Sequence, residues 1–446
     1  MSTRVFPGTH IVTAGAAPAA TLIEADLAIL GAGIAGVAAA LEAAALGRKV
    51  VLIDGAQQLG GQSTGSLIGT FCGFYGNGPQ PCRVVYGAAS RMLDDLRKAG
   101  ATQPRHGRNT LILMYREQAL ARWIEDAVLA ADTIKPLLGS TLLGVRRQGN
   151  RIAGLDIATR FGAISVQAKG YIDASGDAAL SHAAGFACRE PDSPIMGSLM
   201  FSIEGIDEAA ALALDRWQVQ ARLAEVGPRY GLVRRDGFVF AISGEGAFGG
   251  QALVNMTHVE TPLDAEGQAR AQIAGRQQAD RVLDFLKGEY GAVFGRARVR
   301  HYGLLGIRQT RWIVGRESLT VQQVRQGHRH PDAILRCSWP IELHDRVDDA
   351  HWEVFGDDHM HYLPFGAMLP AEAENLLAAG RCVDGDAAAL SSVRVMGPCF
   401  AMGSAAAHAF DLAMERGRGD AGAVNQIDIA ALQARLADNL ERCDPS

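Results

Sequence analysis

The sequence has no apolar run approaching the roughly twenty residues that a membrane-spanning helix needs, no block of like charge and no Cys-x-x-Cys pair. The first absence predicts no transmembrane helix and no membrane partner. The second, with a net charge of only −5 from 43 basic and 48 acidic residues interspersed along the chain, argues against a nucleic-acid partner, which requires a basic face. Local positive patches remain compatible with it and would suit an anionic small molecule. The third removes the closely spaced pair of a disulfide reductase and the common zinc patterns. Seven cysteines (Cys72, Cys82, Cys188, Cys337, Cys382, Cys399 and Cys443) are odd in number and widely spaced, so reduced thiols in a cytoplasmic protein are expected, with no metal. Residues 1–24 carry Arg4 but no continuous hydrophobic region after it, unlike a signal peptide. They read as a loosely attached lead-in, residues 1–22, with an extra edge strand around residues 10–13.

What the chain does have is apolar content of 48% and 446 residues, enough for a folded protein of two domains, or of one domain interrupted by another. Its organising stretch is Leu30-Gly31-Ala32-Gly33-Ile34-Ala35-Gly36. A buried strand is expected over residues 25–30 and an alanine-rich helix over residues 34–46, closed by Gly47. In such a turn Gly31 permits the tight reversal, Gly33 keeps side chains away from a pyrophosphate, and Gly36 lets helix and strand pack closely. The N–H groups at Ile34 and Ala35 then open the helix toward negative charge. A second strand, residues 49–53, ends on Asp54-Gly55 about twenty residues past the turn, where a carboxylate accepts from ribose hydroxyls. Strand, helix, strand and acid in this order predict a dinucleotide site.

After Asp54 the chain reads Leu59-Gly60-Gly61-Gln62-Ser63-Thr64. Glycines with small polar residues suit a segment lying flat against a large planar ring, although an ordinary loop has the same composition. A helix over residues 115–131 and three strand-like runs, 141–147, 152–159 and 162–167, predict a small meander. It leads into a closing strand, Tyr171-Ile172-Asp173, ending in Ala174-Ser175-Gly176-Asp177 near the first turn. Residues 187 to about 300 show no glycine motif, and residues 187–360 read as an α+β substrate cap, with strands near 199–204, 238–242 and 252–256 and a long amphipathic helix over 267–290. Residues 23–186 and 361–446 then form the α/β Rossmann-like FAD-binding domain. The arginine-dense run 306–320 places Arg308 and Arg311 either on a substrate or flavin or in internal salt bridges. Near the C-terminus, Gly380-Arg381 and Asp386 follow another strand, and Arg394 to Phe400, including Gly397 and Pro398, opens a terminal helix whose positive end would face a reduced flavin. His344 is the leading candidate for proton transfer, with Glu342 and Asp345 beside it to set its tautomer; His301 and His361 are further candidates.

Together these motifs resemble the FAD-dependent oxidoreductases related to the flavoprotein subunits of succinate dehydrogenase and fumarate reductase, within the group sharing the glutathione-reductase type of FAD domain. The resemblance implies FAD held by Gly31, Gly33, Gly36 and Asp54 at its ADP half, by Gly61, Gln62 and Ser63 at the ring, and by Gly380 and Asp386 at pyrophosphate and ribityl. Arg394 to Phe400 would close on the flavin. Gln62-Ser63-Thr64 stands where covalent relatives place a histidine, so noncovalent FAD is expected. The function this implies is hydride transfer between a small polar organic substrate and flavin N5, with Arg308, Arg311, Arg394 and His344 as catalytic candidates. An unidentified electron acceptor or donor completes the reaction, and self-association is left open. A flavin monooxygenase and a noncatalytic flavin-binding subunit are the alternatives.

Overall fold

The computed structural model describes residues 21–242, 250–417 and 423–445; the edge strand expected at residues 10–13 lies outside them. Strand β1 (Thr21–Leu30) is exposed at its start and buried from Leu27 onward. It runs into helix α1 (Ile34–Ala45), of which Ile34 through Ala43 are buried, and the chain returns through β2 (Val50–Asp54), parallel to β1 with Leu27 opposite Val50. Alanine at most inward positions lets α1 lie close to its neighbours. The approach is closest where side chains are missing. A Cβ on Gly36 would sit 1.8 Å from the carbonyl oxygen of Gly31, and one on Gly403 would sit 2.2 Å from that of Ala35.

Next come β3 (Thr70–Phe71), β4 (Thr102–Gly107) and β5 (Thr110–Tyr115), a small antiparallel sheet in the order β3-β5-β4. Helix α2 (Glu117–Leu129) and β6 (Ile134–Leu138) return the chain to the main sheet beside β2. The meander follows as β7 (Thr141–Gln148), β8 (Arg151–Thr159) and β9 (Gly162–Asp173). The sequence reading separated the meander's third strand from the closing strand, but they are one. The first half of β9 pairs antiparallel with β8, while β9 as a whole runs parallel to β1.

The central region holds a four-stranded antiparallel sheet, ordered β11-β12-β10-β13, from β10 (Ser198–Glu204), β11 (Phe238–Ile242), β12 (Gln251–Asn255) and β13 (Arg298–Gly306). Helix α3 (Ala265–Glu289) covers it, packing Val282, Phe285 and Leu286 into one core with Leu199, Phe201 and Ile203. A hairpin of β14 (Ile341–Leu343) and β15 (His351–Glu353) follows. Residues Ala333–Cys337 pair with His361–Pro364 and bury their side chains in the same core as α1. Strand β16 (Leu376–Ala378) then joins the main sheet against the last residues of β9. The resulting seven-stranded sheet runs β6-β2-β1-β9-β8-β7, with β16 also on β9. Helices α4 (Ala387–Val393) and α5 (Met396–Arg416) follow, α5 buried along most of its length against α1, and two short helices, Ile429–Arg435 and Ala437–Glu441, lead to the C-terminal segment. Among the described residues no helix is long and apolar enough to cross a membrane.

The expectation of free thiols is overturned. Cys82 and Cys443, 361 residues apart, form a disulfide, where free thiols were expected throughout. Wide sequence spacing does not bear on this, because Asp444–Pro445 pairs with Cys82–Arg83 and carries the C-terminus to that strand. The other five cysteines are free. Peptide mapping without reductant is expected to recover Cys82 linked to Cys443, and Cys443→Ser to lower the unfolding free energy by about 2–4 kcal/mol in denaturant titration; recovery of both thiols free would contradict the linkage.

Candidate functional site

Two connected hollows lie between the main sheet and the central region. The first is a cleft of about 350 Å³ running over the glycine-rich turn. The second is a cavity of about 210 Å³, and Gln62, Ser66 and Ile68 line both.

The cleft begins at the N-terminus of α1, which has no side-chain cap, so the first-turn N–H groups are available to an external acceptor. Gly33 faces it directly: a Cβ there would meet nothing within 4 Å. Asp54 stands at the rim, its two oxygens accepting from the N–H groups of Ala32 (2.6 Å) and Ala56 (2.7 Å). These bonds fix the carboxylate and hold the turn against β2. Opposite, Gly60 bridges to Gly33, and Gly61, at φ +54°, adopts a backbone that a side chain would strain. Ser175, Gly176 and Asp177 at the end of β9, and Gly380 and Arg381 after β16, close the far wall. Arg381 lies over Gly176, and its Nη1 is buried with no partner; Nη1 of Arg394 is likewise unpartnered. An uncapped helix end, a side-chain-free floor and two orphaned guanidinium nitrogens form a donor set that fits the diphosphate and polar ring edge of FAD.

Of the residues expected here, Gly31, Gly33, Ile34, Ala35, Asp54, Gly60, Gly61, Gln62, Ser63, Ser175, Gly176, Asp177, Gly380, Arg381 and Arg394 line the cleft. Five others lie elsewhere. Gly36 is spent on packing against Gly31. Gly55 is exposed beside Asp54. Asp386 caps α4, accepting from the N–H groups of Ala389 and Val321. Gly397 packs on the backbone of Gly73, and Phe400 is buried against Phe74. The start of α5 does reach the cleft through Met396 and Cys399. Its N–H groups are less free than expected, because Gly397 donates to the Cys72 carbonyl, Cys399 donates to the Val395 carbonyl, and Pro398 has none to offer.

The second cavity is walled by Phe238, Phe240, Trp217, Trp339 and Trp352, with Ile68 and Ile112 between them. Its charged groups are Arg108, Arg216, Arg234, Asp236, Arg308 and Glu342. Arg234 is committed to Asp236 and Asn255. Arg308 donates to the Met196 carbonyl and to Ser198, and burial beside Arg234 pushes its pKa down to about 10. Arg108 and Arg216 differ: both stack on Trp217, and no carboxylate partners either of them among the described residues. Arg311 lines neither hollow and is bridged to Glu190 at 3.1 Å. His344 also lines neither. It is buried behind Glu342, its Nε2 3.0 Å from Oε1 and its Nδ1 2.9 Å from Nε2 of His258. His361 is buried on Ser392, and His301 is exposed on β13. Elsewhere, Glu317, His330 and Asp332 gather ligand atoms within 4.8 Å of one another, away from both hollows.

Sequence reasoning did not find Arg108, Arg216, Arg234 and Asp236. The first lies in the β4–β5 hairpin, a segment not read as strand at all, although Thr110–Tyr115 (TLILMY) is a fully buried run of the kind that marks one.

No curated protein sequence matches this chain. Among solved structures, it is similar to a geranylgeranyl bacteriochlorophyll reductase-like protein from Thermoplasma acidophilum, at 13% identity and TM-score 0.46, over 94% of this chain and 87% of that one. It is also similar to p-nitrophenol 4-monooxygenase from Pseudomonas putida, at 12% identity and TM-score 0.45, over 95% of this chain and 93% of that one. The family model of the FAD dependent oxidoreductases matches residues 26–436, and the chain belongs to that family, an enzyme with FAD as its cofactor.

Proposed function

We propose that the cleft holds FAD noncovalently and that the adjoining cavity takes a small organic substrate, which exchanges a hydride with the flavin where the two hollows meet. The observation that carries this reading is the shared wall of Gln62, Ser66 and Ile68 between a phosphate-suited cleft and an aromatic cavity. FAD, when bound, supplies the two-electron chemistry. The chain's own residues then bind, orient and exclude water. Gly33 admits the pyrophosphate, Asp54 meets the ribose, and Arg381 and Arg394 offer their unpartnered Nη1 groups to the cofactor's acceptors. The aromatic walls hold a flat or apolar body, while Arg108 and Arg216 at the rim suit an anionic head.

In this reading residues 23–186 and 361–446 form the FAD-binding unit and residues 187–360 the cap, with residues 333–337 sharing the core of the first. The motif resemblance to succinate dehydrogenase and fumarate reductase flavoproteins supports a dehydrogenase or reductase over a monooxygenase. Anaerobic mixing with a panel of hydroxy acids, amines and sugars tests it: bleaching of flavin absorbance by at least one class is expected. NADH consumption coupled to a hydroxylated product would count against it.

Two substitutions separate holding the cofactor from folding. Gly33→Val adds atoms where the cleft is open, so a folded protein that purifies without yellow colour is expected; retention of stoichiometric flavin would contradict the assignment. Gly36→Val drives a side chain into the Gly31 carbonyl and should reduce soluble yield instead. At the cavity, Arg108→Ala with Arg216→Ala is expected to raise KM for anionic substrates about 10- to 100-fold, the worth of a lost charge-assisted hydrogen bond, while leaving neutral ones little changed. Equal loss for both classes would exclude an anion-binding role.

A further inference from the structure

The hydrogen-bond chain behind the cavity has a fixed direction. The carbonyl of Val347 can only accept, so Nδ1 of His258, 3.0 Å away, must carry a proton. Burial beside Arg234 and Arg308 pushes the pKa of His258 down to about 2, so the ring is neutral and its Nε2 is an acceptor. The group 2.9 Å away, Nδ1 of His344, must therefore donate. His344 is itself held well below its ordinary pKa by burial and by Arg308 and Arg234, which leaves its Nε2 as an acceptor too. The remaining partner, Oε1 of Glu342 at 3.0 Å, has to supply the hydrogen. Two neutral imidazoles in series thus demand a protonated carboxyl group at the end of the chain, and that end lines the substrate cavity.

We propose, resting on the reading of this cavity as the substrate site, that Glu342 meets the substrate as a neutral carboxylic acid and is the group that exchanges a proton with it, His344 and His258 being positioning residues. This reverses the roles expected from sequence, in which His344 transfers the proton and Glu342 sets its tautomer. The charged surroundings are consistent. Burial raises the pKa of Glu342 and outweighs Arg308 and Arg394, which act in the other direction. From its own hairpin Glu342 faces His344 and, through Oε2, the Trp339 N–H at 3.2 Å. Arg394, after α4, donates to its backbone carbonyl. Arg308, after β13, and Asp236, before β11, also act on it, and it acts on Arg108 in the β4–β5 hairpin. When the proton leaves, the O–H bonding pair stays on Glu342 as carboxylate charge, with Arg308 and Arg394 near enough to stabilise it. The substrate gains that proton and a hydride from reduced FAD, a balanced two-electron reduction; the reverse reaction returns both.

Infrared spectra of the purified holoprotein across pH test this without a substrate. A protonated-carboxyl C=O band is expected to persist at pH 7, well above the ordinary carboxylate range, and to vanish in Glu342→Gln, which should keep its flavin. In the wild type, nitrogen-15 NMR should find Nδ1 of His258 and Nδ1 of His344 protonated with both Nε2 atoms bare. A band missing at pH 7, a band unaffected by Glu342→Gln, or the opposite histidine tautomers would each overturn the proposal. With any compound that bleaches the flavin, Glu342→Gln should flatten the pH profile of the rate and Glu342→Asp should restore it in part; an unchanged profile would also overturn it. Colourless protein would instead defeat the reading of the cleft, a separate outcome.

Discussion

The structure depends on a backbone approach too close for any side chain. α1 is pressed against the Gly31 turn on one side and against α5 on the other, and at both contacts, Gly36 on the Gly31 carbonyl and Gly403 on that of Ala35, a methyl group would lie inside van der Waals distance of an oxygen. This fixes the N-terminus of α1 relative to the C-terminal third of the chain. Consequently Gly380, Arg381 and Arg394 face the glycine-rich turn from more than 300 residues away. A cofactor as long as FAD needs contacts at both ends, and only elements locked in this way can supply them from two remote segments of one polypeptide.

The same constraint explains which parts were legible in the sequence. The unit from Ala25 to Asp54 reads correctly because its signals are local: an apolar run, a glycine turn that tolerates few alternatives, and an alanine-rich helix. Residues 174–177 and 380–381 reach the cleft because each group follows the end of a buried strand of the main sheet, β9 or β16. Gly36, Asp386, Gly397 and Phe400 share the chemistry of site residues but are taken up by packing or capping. Gly36 takes the packing role that its place in the glycine motif predicts, whereas nothing local marks Asp386, Gly397 or Phe400 as a capping or packing residue. The Cys82–Cys443 pair is the extreme case, since only the pairing of the C-terminus with residues 82–83 brings the two sulfurs together.

The second cavity was the least legible region. Its walls come from β5, from the first turn of the helix Arg216–Val226, from the segment around Arg234, from β11 and from the β14–β15 hairpin, elements brought together only by the docking of the central sheet on the main one. Arg311 and Arg308 stand three residues apart in one arginine-rich run, yet one turns outward to Glu190 and the other inward to Ser198. The reason is the short strand Trp312–Ile313, which is held antiparallel to Cys188–Arg189 and fixes where the segment turns. Arginine density alone carries no such information.

Charge in the cavity follows from that geometry. Arg234 is neutralised locally by Asp236, but Arg308, Arg108 and Arg216 are desolvated and lack a carboxylate bonded to them, so burial holds their pKa values down, with Arg234 acting on Arg308 and Arg216 on Arg108 in the same direction. Such a cluster is costly in an empty protein and becomes favourable when negative charge enters. Glu342 cannot fully supply that charge while its oxygens are engaged by His344 and Trp339 and its surroundings favour the neutral form. In the reading proposed for this cavity, the demand for an anion falls on what the cavity admits, and the cost of burying uncompensated arginines becomes selectivity for a substrate bearing the opposite sign.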